Sequence, residues 1–153
     1  MREIEYPPLH ADAFRDIAEK DLHKIFVAPF TDGAEHRTDL LLNFVQFFKQ
    51  FKRLGIAAEI WIDGSFATYA PDPNDIDIVF FIDTNALESL NGNKRVLFNK
   101  LFSDRKFIKR FYKLDAFFAE QSDEQEKTEW QQLFGHYYNG LTPKGIFKLK
   151  FKQ

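Results

Sequence analysis

The chain has no cysteine. Disulfides, thiolate zinc sites and cysteine nucleophiles are therefore excluded, and a reducing compartment is expected. No apolar run approaches the ~20 residues that span a bilayer as a helix. The start, Met1-Arg2-Glu3-Ile4-Glu5, lacks the apolar stretch of a secretory leader. Together these absences predict a soluble, cytoplasmic protein with no membrane partner. Neither sign of charge dominates: 21 basic and 23 acidic side chains leave −2, so overall charge does not drive nucleic-acid binding. No repeat, low-complexity segment or internal domain boundary is visible. The histidines, His10, His23, His36 and His136, show no metal-ligand spacing, and no Ser-His-Asp set can be argued from them.

What the chain does have is aromatic bulk. Hydrophobic residues make up 44% of it and phenylalanine alone contributes 19, so the core is expected to rest on ring packing. A length of 153 residues points to a single domain, 1–153, long enough to bury a proper core. Local charge is uneven. Lys94, Arg95, Lys100, Arg105, Lys106, Lys109, Arg110 and Lys113 lie in one segment whose only acid is Asp104. Lys144, Lys148, Lys150 and Lys152 form a basic tail, with Asp123, Glu124, Glu126 and Glu129 between the two.

Residues 1–9 contain Pro7-Pro8 and read as an extended arm. Helical spacing of Phe14, Ile17, Ala18 and Leu22 predicts a helix over 11–24, followed by a packed loop over 25–33. A second helix is expected over 38–54, capped by Thr38 or Asp39 and stopped by Gly55. Its broad apolar face (Leu41, Phe44, Val45, Phe48, Phe51) predicts burial against a sheet. Strands are expected at 57–62, 76–82 and 112–119, and a last, half-exposed one at 146–151, where apolar residues alternate with lysine. Residues 93–111 read as one or two helices, and the cations from Lys94 to Lys113 as a solvated helix face or, as the alternative, a surface that holds triphosphate or RNA backbone. Residues 85–90 read as a short helix, and 122–133 as a helix capped by Ser122.

Chemistry concentrates between residues 60 and 83. An apolar strand runs into Gly64-Ser65, and Asp75-Ile76-Asp77 opens the next. Alternate residues of a strand share a face, so Asp75 and Asp77 point the same way and can bridge divalent cations. Asp115 lies in another apolar strand, where an unpaired charge is costly; a metal or a cationic partner would resolve it. Glycine at 64 lets the backbone approach a ligand, and the Ser65 hydroxyl can hold phosphate. Thr68 and Lys144 are further candidate phosphate contacts. Asp63 is expected to stabilise the turn and Asn74 to form it, with Asp72 and Asp83 as loop residues. The bland alternative is a turn with capping carboxylates and a buried ion pair through Lys113 or Arg110.

A strand ending in Gly-Ser, an Asp-x-Asp on the next strand and a later strand aspartate resemble the polymerase-beta-like nucleotidyltransferase superfamily. The chain as a whole is similar to short, stand-alone bacterial nucleotidyltransferase-like proteins. That similarity is carried by Pro7-Pro8, Trp61-Ile62-Asp63-Gly64-Ser65-Phe66-Ala67-Thr68, Pro73-Asn74-Asp75-Ile76-Asp77 and Pro143-Lys144-Gly145-Ile146. The resemblance implies an α/β fold: a minimal core of a small mixed sheet with helices packed mainly on one face. It implies two Mg2+ (or Mn2+) ions on Asp75, Asp77 and Asp115, and a nucleoside triphosphate such as ATP seated by Gly64 and Ser65. It further implies transfer of a nucleoside monophosphate to a protein, RNA or small-molecule acceptor. The alternative under the same resemblance is a catalytically weak or inactive binding module, such as a toxin–antitoxin or phage-defence component that engages a partner protein or a second copy. Only residues 66–74 separate Ser65 from Asp75, and the chain has no room for a large helical domain to bind the base or acceptor.

Overall fold

A computed structural model describes residues 6–10, 13–134 and 145–152. The elements in chain order are β1 (Phe14–Ile17), α1 (Leu22–Phe26), α2 (Ala34–Lys52), β2 (Ala58–Asp63), β3 (Ile76–Ile82), α3 (Thr84–Glu88), α4 (Gly92–Phe102), α5 (Arg105–Tyr112), β4 (Leu114–Glu120), α6 (Glu124–Phe134) and β5 (Ile146–Phe151). The strands form one mixed sheet in the order β1-β5-β2-β3-β4. β5 and β3 run antiparallel to β2, while β1 is parallel to β5 and β4 is parallel to β3. This is an α/β fold, as the sequence predicts.

The alternating side chains of the strands build two cores. One face carries Ile60, Ile62, Ile78, Phe80, Ile82, Leu114, Ala116, Phe147 and Leu149, packed against Phe44, Phe47, Phe48 and Phe51 of α2 and Phe98, Leu101 and Phe102 of α4. Phe47 alone sets its ring against Phe80, Phe102 and Tyr112 at 5.5–5.8 Å. Each such buried ring contributes about 1.5–3 kcal/mol through area alone. The other face carries Trp61, Val79, Phe81, Ala119 and Ile146, beneath Trp130 and Phe134 of α6. Helices thus crowd one face and α6 covers part of the second.

Four local expectations are corrected. Residues 14–17 form a strand, not part of a helix over 11–24, because parallel pairing of Phe14 to Ile17 with Ile146 to Leu149 outweighs the helical spacing. The helix that follows, α1, keeps only residues 22–24 of the expected helix and runs two residues into the expected loop. α2 begins at Ala34 rather than Thr38. Gly33 (φ 82°) is its N-cap, and the Thr38 hydroxyl donates to Ala34 O at 2.8 Å inside the helix. At α6 the capping oxygen belongs to Asp123, which accepts from the Glu126 amide at 3.0 Å, and not to Ser122. The short helix near residue 85 is capped by Asp83, which accepts from the Asn85 amide at 3.0 Å.

Candidate functional site

β2 runs one residue further than its apolar pattern and ends on Asp63. In the β2–β3 register Asp63 stands opposite Asp77, and in the β3–β4 register Asp77 stands opposite Asp115. Three aspartates therefore sit abreast on neighbouring strands, each step about 4.8 Å, on the same face as Trp61, Val79 and Phe117. Asp75 lies on that face two residues before Asp77, just ahead of β3. The sequence places Asp63 in the turn; its burial at 1% exposure beside Asp77 makes it a member of this row instead. A signal for this exists in the sequence: Glu59, Trp61 and Asp63 share the strand's period of two.

Gly64 follows at φ 81°, ψ −168°, a conformation that belongs essentially to glycine. A Cβ there would lie 2.6 Å from Asp77 Oδ2. The chain therefore turns directly over the Asp77 carboxylate, which brings the glycine-serine turn and the carboxylate row together. Residues Ser65–Ala67 make one 3-10 turn, and the Ser65 side chain is exposed at its start. Thr68 is buried, and its hydroxyl is engaged inside the turn: it donates to Ser65 O at 2.7 Å and accepts from the Ala70 amide at 3.2 Å. Its position serves the loop. Lys144 lies outside the described residues.

The turn is held from behind by Arg37, a residue that belongs to none of the sequence motifs. Arg37 is fully buried, and its guanidinium donates to the carbonyls of Phe26, Phe66, Thr68 and Ala70 at 2.6–3.0 Å, with Ser65 O at 3.5 Å. The Phe30 ring lies 3.7 Å from the guanidinium carbon. Burial lowers its pKa to about 10, which leaves the group charged near neutrality. Only arginine offers five donors in a planar fork, and here the fork organises backbone carbonyls of one loop. The helical pattern holds a clue: Arg37 precedes Leu41 by four and Phe44 by seven, placing a cation on the apolar stripe. Other interactions brace the same loop. A Cβ on Gly33 would overlap Pro71 O, His36 Nε2 meets Pro73 O, and the arm joins through Leu9 N to Ala67 O and Tyr69 N to Pro7 O.

Cations complete the site. Arg105 Nη2 bonds Asp115 Oδ1 at 2.7 Å and stacks 3.9 Å from the Phe117 ring centre, while Lys109 Nζ lies 3.5 Å from Asp75 Oδ2. The pairing comes from α5, where the sequence predicts a solvated face, and its partners are Arg105 and Lys109 rather than Lys113 or Arg110. Oxygen donors on adjacent strands suit a hard divalent cation. Among the described residues, no three carboxylate or imidazole groups are gathered closely enough to hold a metal as they stand; Asp115 and Asp75 turn to their cations.

The fold and this row define a small mixed α/β domain with an acidic strand-end site beneath a glycine-serine turn. The chain belongs to a family of unknown function, DUF6932, which it matches over residues 9–150. No curated protein and no solved structure matches it.

Proposed function

We propose that the protein is a metal-dependent nucleotidyltransferase that moves a nucleoside monophosphate from a nucleoside triphosphate to an acceptor hydroxyl. The observation that carries the reading is the register that sets Asp63, Asp77 and Asp115 abreast under Gly64. In-line phosphoryl transfer needs chiefly positioning and neutralisation of charge. Asp77, Asp115 and Asp75 would hold Mg2+ or Mn2+, and the metal would supply charge neutralisation at the phosphates. The protein's own contributions are distinct. Gly64 lets the turn lie close to the site, and Ser65 is available to a phosphate oxygen. Arg37 keeps the loop carbonyls turned inward and so holds the loop in one arrangement. Arg105 and Lys109 pair with Asp115 and Asp75 and would offer their charge to the phosphate oxygens of a bound triphosphate.

The second reading is a binding module of the same fold without transfer activity. It is favoured by the ion pairs that already satisfy Asp75 and Asp115. Incubation with each α-labelled nucleoside triphosphate, Mg2+ or Mn2+ and a cell extract separates the two. Under the first reading an acceptor is labelled by the wild type and not by Asp77→Asn. Absence of both labelling and triphosphate binding in the wild type would sink it.

A further inference from the structure

We propose that α5 is a platform for single-stranded nucleic acid, which it delivers to the carboxylate row as the acceptor; the delivery rests on the nucleotidyltransferase reading, while the platform does not. The helix has eight residues, of which four are cations and none is an acid. Ile108 is its buried residue and Tyr112, four residues on, is half-buried, which defines the inward face. Proceeding around the helix at ~100° per residue gives three further stripes. Arg105 and Lys109 reach Asp115 and Asp75. Lys106 and Arg110 come next and are exposed. Phe107 and Phe111 follow, 53% and 64% exposed, with their rings nearly parallel at 11° and 5.5 Å between centres.

Two rings stacked on each other and left in water, in a chain that buries most of its phenylalanines, offer their outer faces to something flat. The charges decide what. An apolar protein face laid on the rings would bring neighbouring cations out of water without partners. Nucleic acid satisfies both features: bases stack on the rings, and phosphates meet Lys106 and Arg110. A strand crossing the helix in that order arrives at Arg105 and Lys109, which touch the candidate site. The net charge of −2 does not oppose this, because the relevant field is local.

The test is fluorescence anisotropy with 5′-labelled oligo-U and oligo-dT of about 12 nucleotides, within the size of known single-strand sites, and no triphosphate present. The wild type should bind at least one of them. Phe107→Ala with Phe111→Ala should weaken binding by about ten-fold or more, with an unchanged circular dichroism spectrum because both rings are exposed. Lys106→Gln with Arg110→Gln should reduce the slope of log K against log salt by about 1.4, or ~0.7 for each phosphate no longer neutralised. Absence of binding to both oligonucleotides, or binding indifferent to the phenylalanine pair, overturns the platform. So does a self-association that the phenylalanine variant abolishes in the absence of oligonucleotide binding. The two proposals fail separately. Ring-dependent oligonucleotide binding without nucleotidyl transfer keeps the platform and removes the enzyme. Transfer to another acceptor without oligonucleotide binding does the reverse.

Discussion

At the scale of single residues, two positions carry the site. Gly64 adopts a backbone conformation that a side chain resists, and its missing Cβ leaves room for the Asp77 carboxylate. Gly64→Ala should therefore lower stability by about 1–3 kcal/mol in urea unfolding, and it should weaken triphosphate binding beyond what the stability loss explains. Arg37 is the second. Its removal leaves several buried carbonyls without donors, each costing about 1–3 kcal/mol if the loop cannot re-pair them. Arg37→Met should destabilise by about 2–4 kcal/mol. Arg37→Lys should recover little, since a point ammonium with three donors cannot span the same carbonyls. Thermal unfolding of the three proteins side by side measures this. Failure of lysine to differ from arginine would show that charge alone, not the fork, holds the loop.

At the scale of elements, α5 and the loop 65–74 act on the row from opposite sides. The loop is braced by α2 and the arm; α5 lends cations. The Arg105–Asp115 pair is half exposed on the arginine side, so screening keeps its net contribution within about 1 kcal/mol. Arg105→Gln should accordingly raise Mn2+ affinity, measured calorimetrically without nucleotide, by no more than about five-fold. A decrease would mean that Arg105 orients Asp115 for the ion rather than competing with it. The same element shows how far pattern reading reaches. The basic character of 93–113 is plain in the sequence. That two of its cations meet Asp115 and Asp75 follows only from α5 packing beside the outermost strand, β4.

At the scale of the whole molecule, the first described segments matter more than an arm would. β1 covers one edge of the sheet by pairing with β5, and Pro8 bridges to Thr68 in the turn after Gly64. Deleting residues 1–17 should uncover the β5 edge and loosen the turn together. The expected result is a lower unfolding temperature with concentration-dependent self-association in size-exclusion chromatography. A monomer of unchanged stability would show that β5 tolerates an open edge. Among the described residues no helix is long and apolar enough to cross a membrane.

Several features were determined by the sequence alone. β-branched and aromatic runs specify β2, β3 and β5, and the 3.6-residue stripe of phenylalanines specifies α2 and the face it covers. The Asp-x-Asp spacing keeps Asp75 and Asp77 close together at the start of β3. These depend on neighbours a few residues away. Tertiary structure decided what depends on distant partners. Phe14 to Ile17 became a strand because β5 offered it hydrogen bonds. Asp63 joined the row because antiparallel register set it opposite Asp77. Arg37 turned inward because loop carbonyls 28 to 33 residues away needed donors. A buried cation and a row of carboxylates on separate strands are long-range facts, and their meaning lies in register and packing that no local pattern contains.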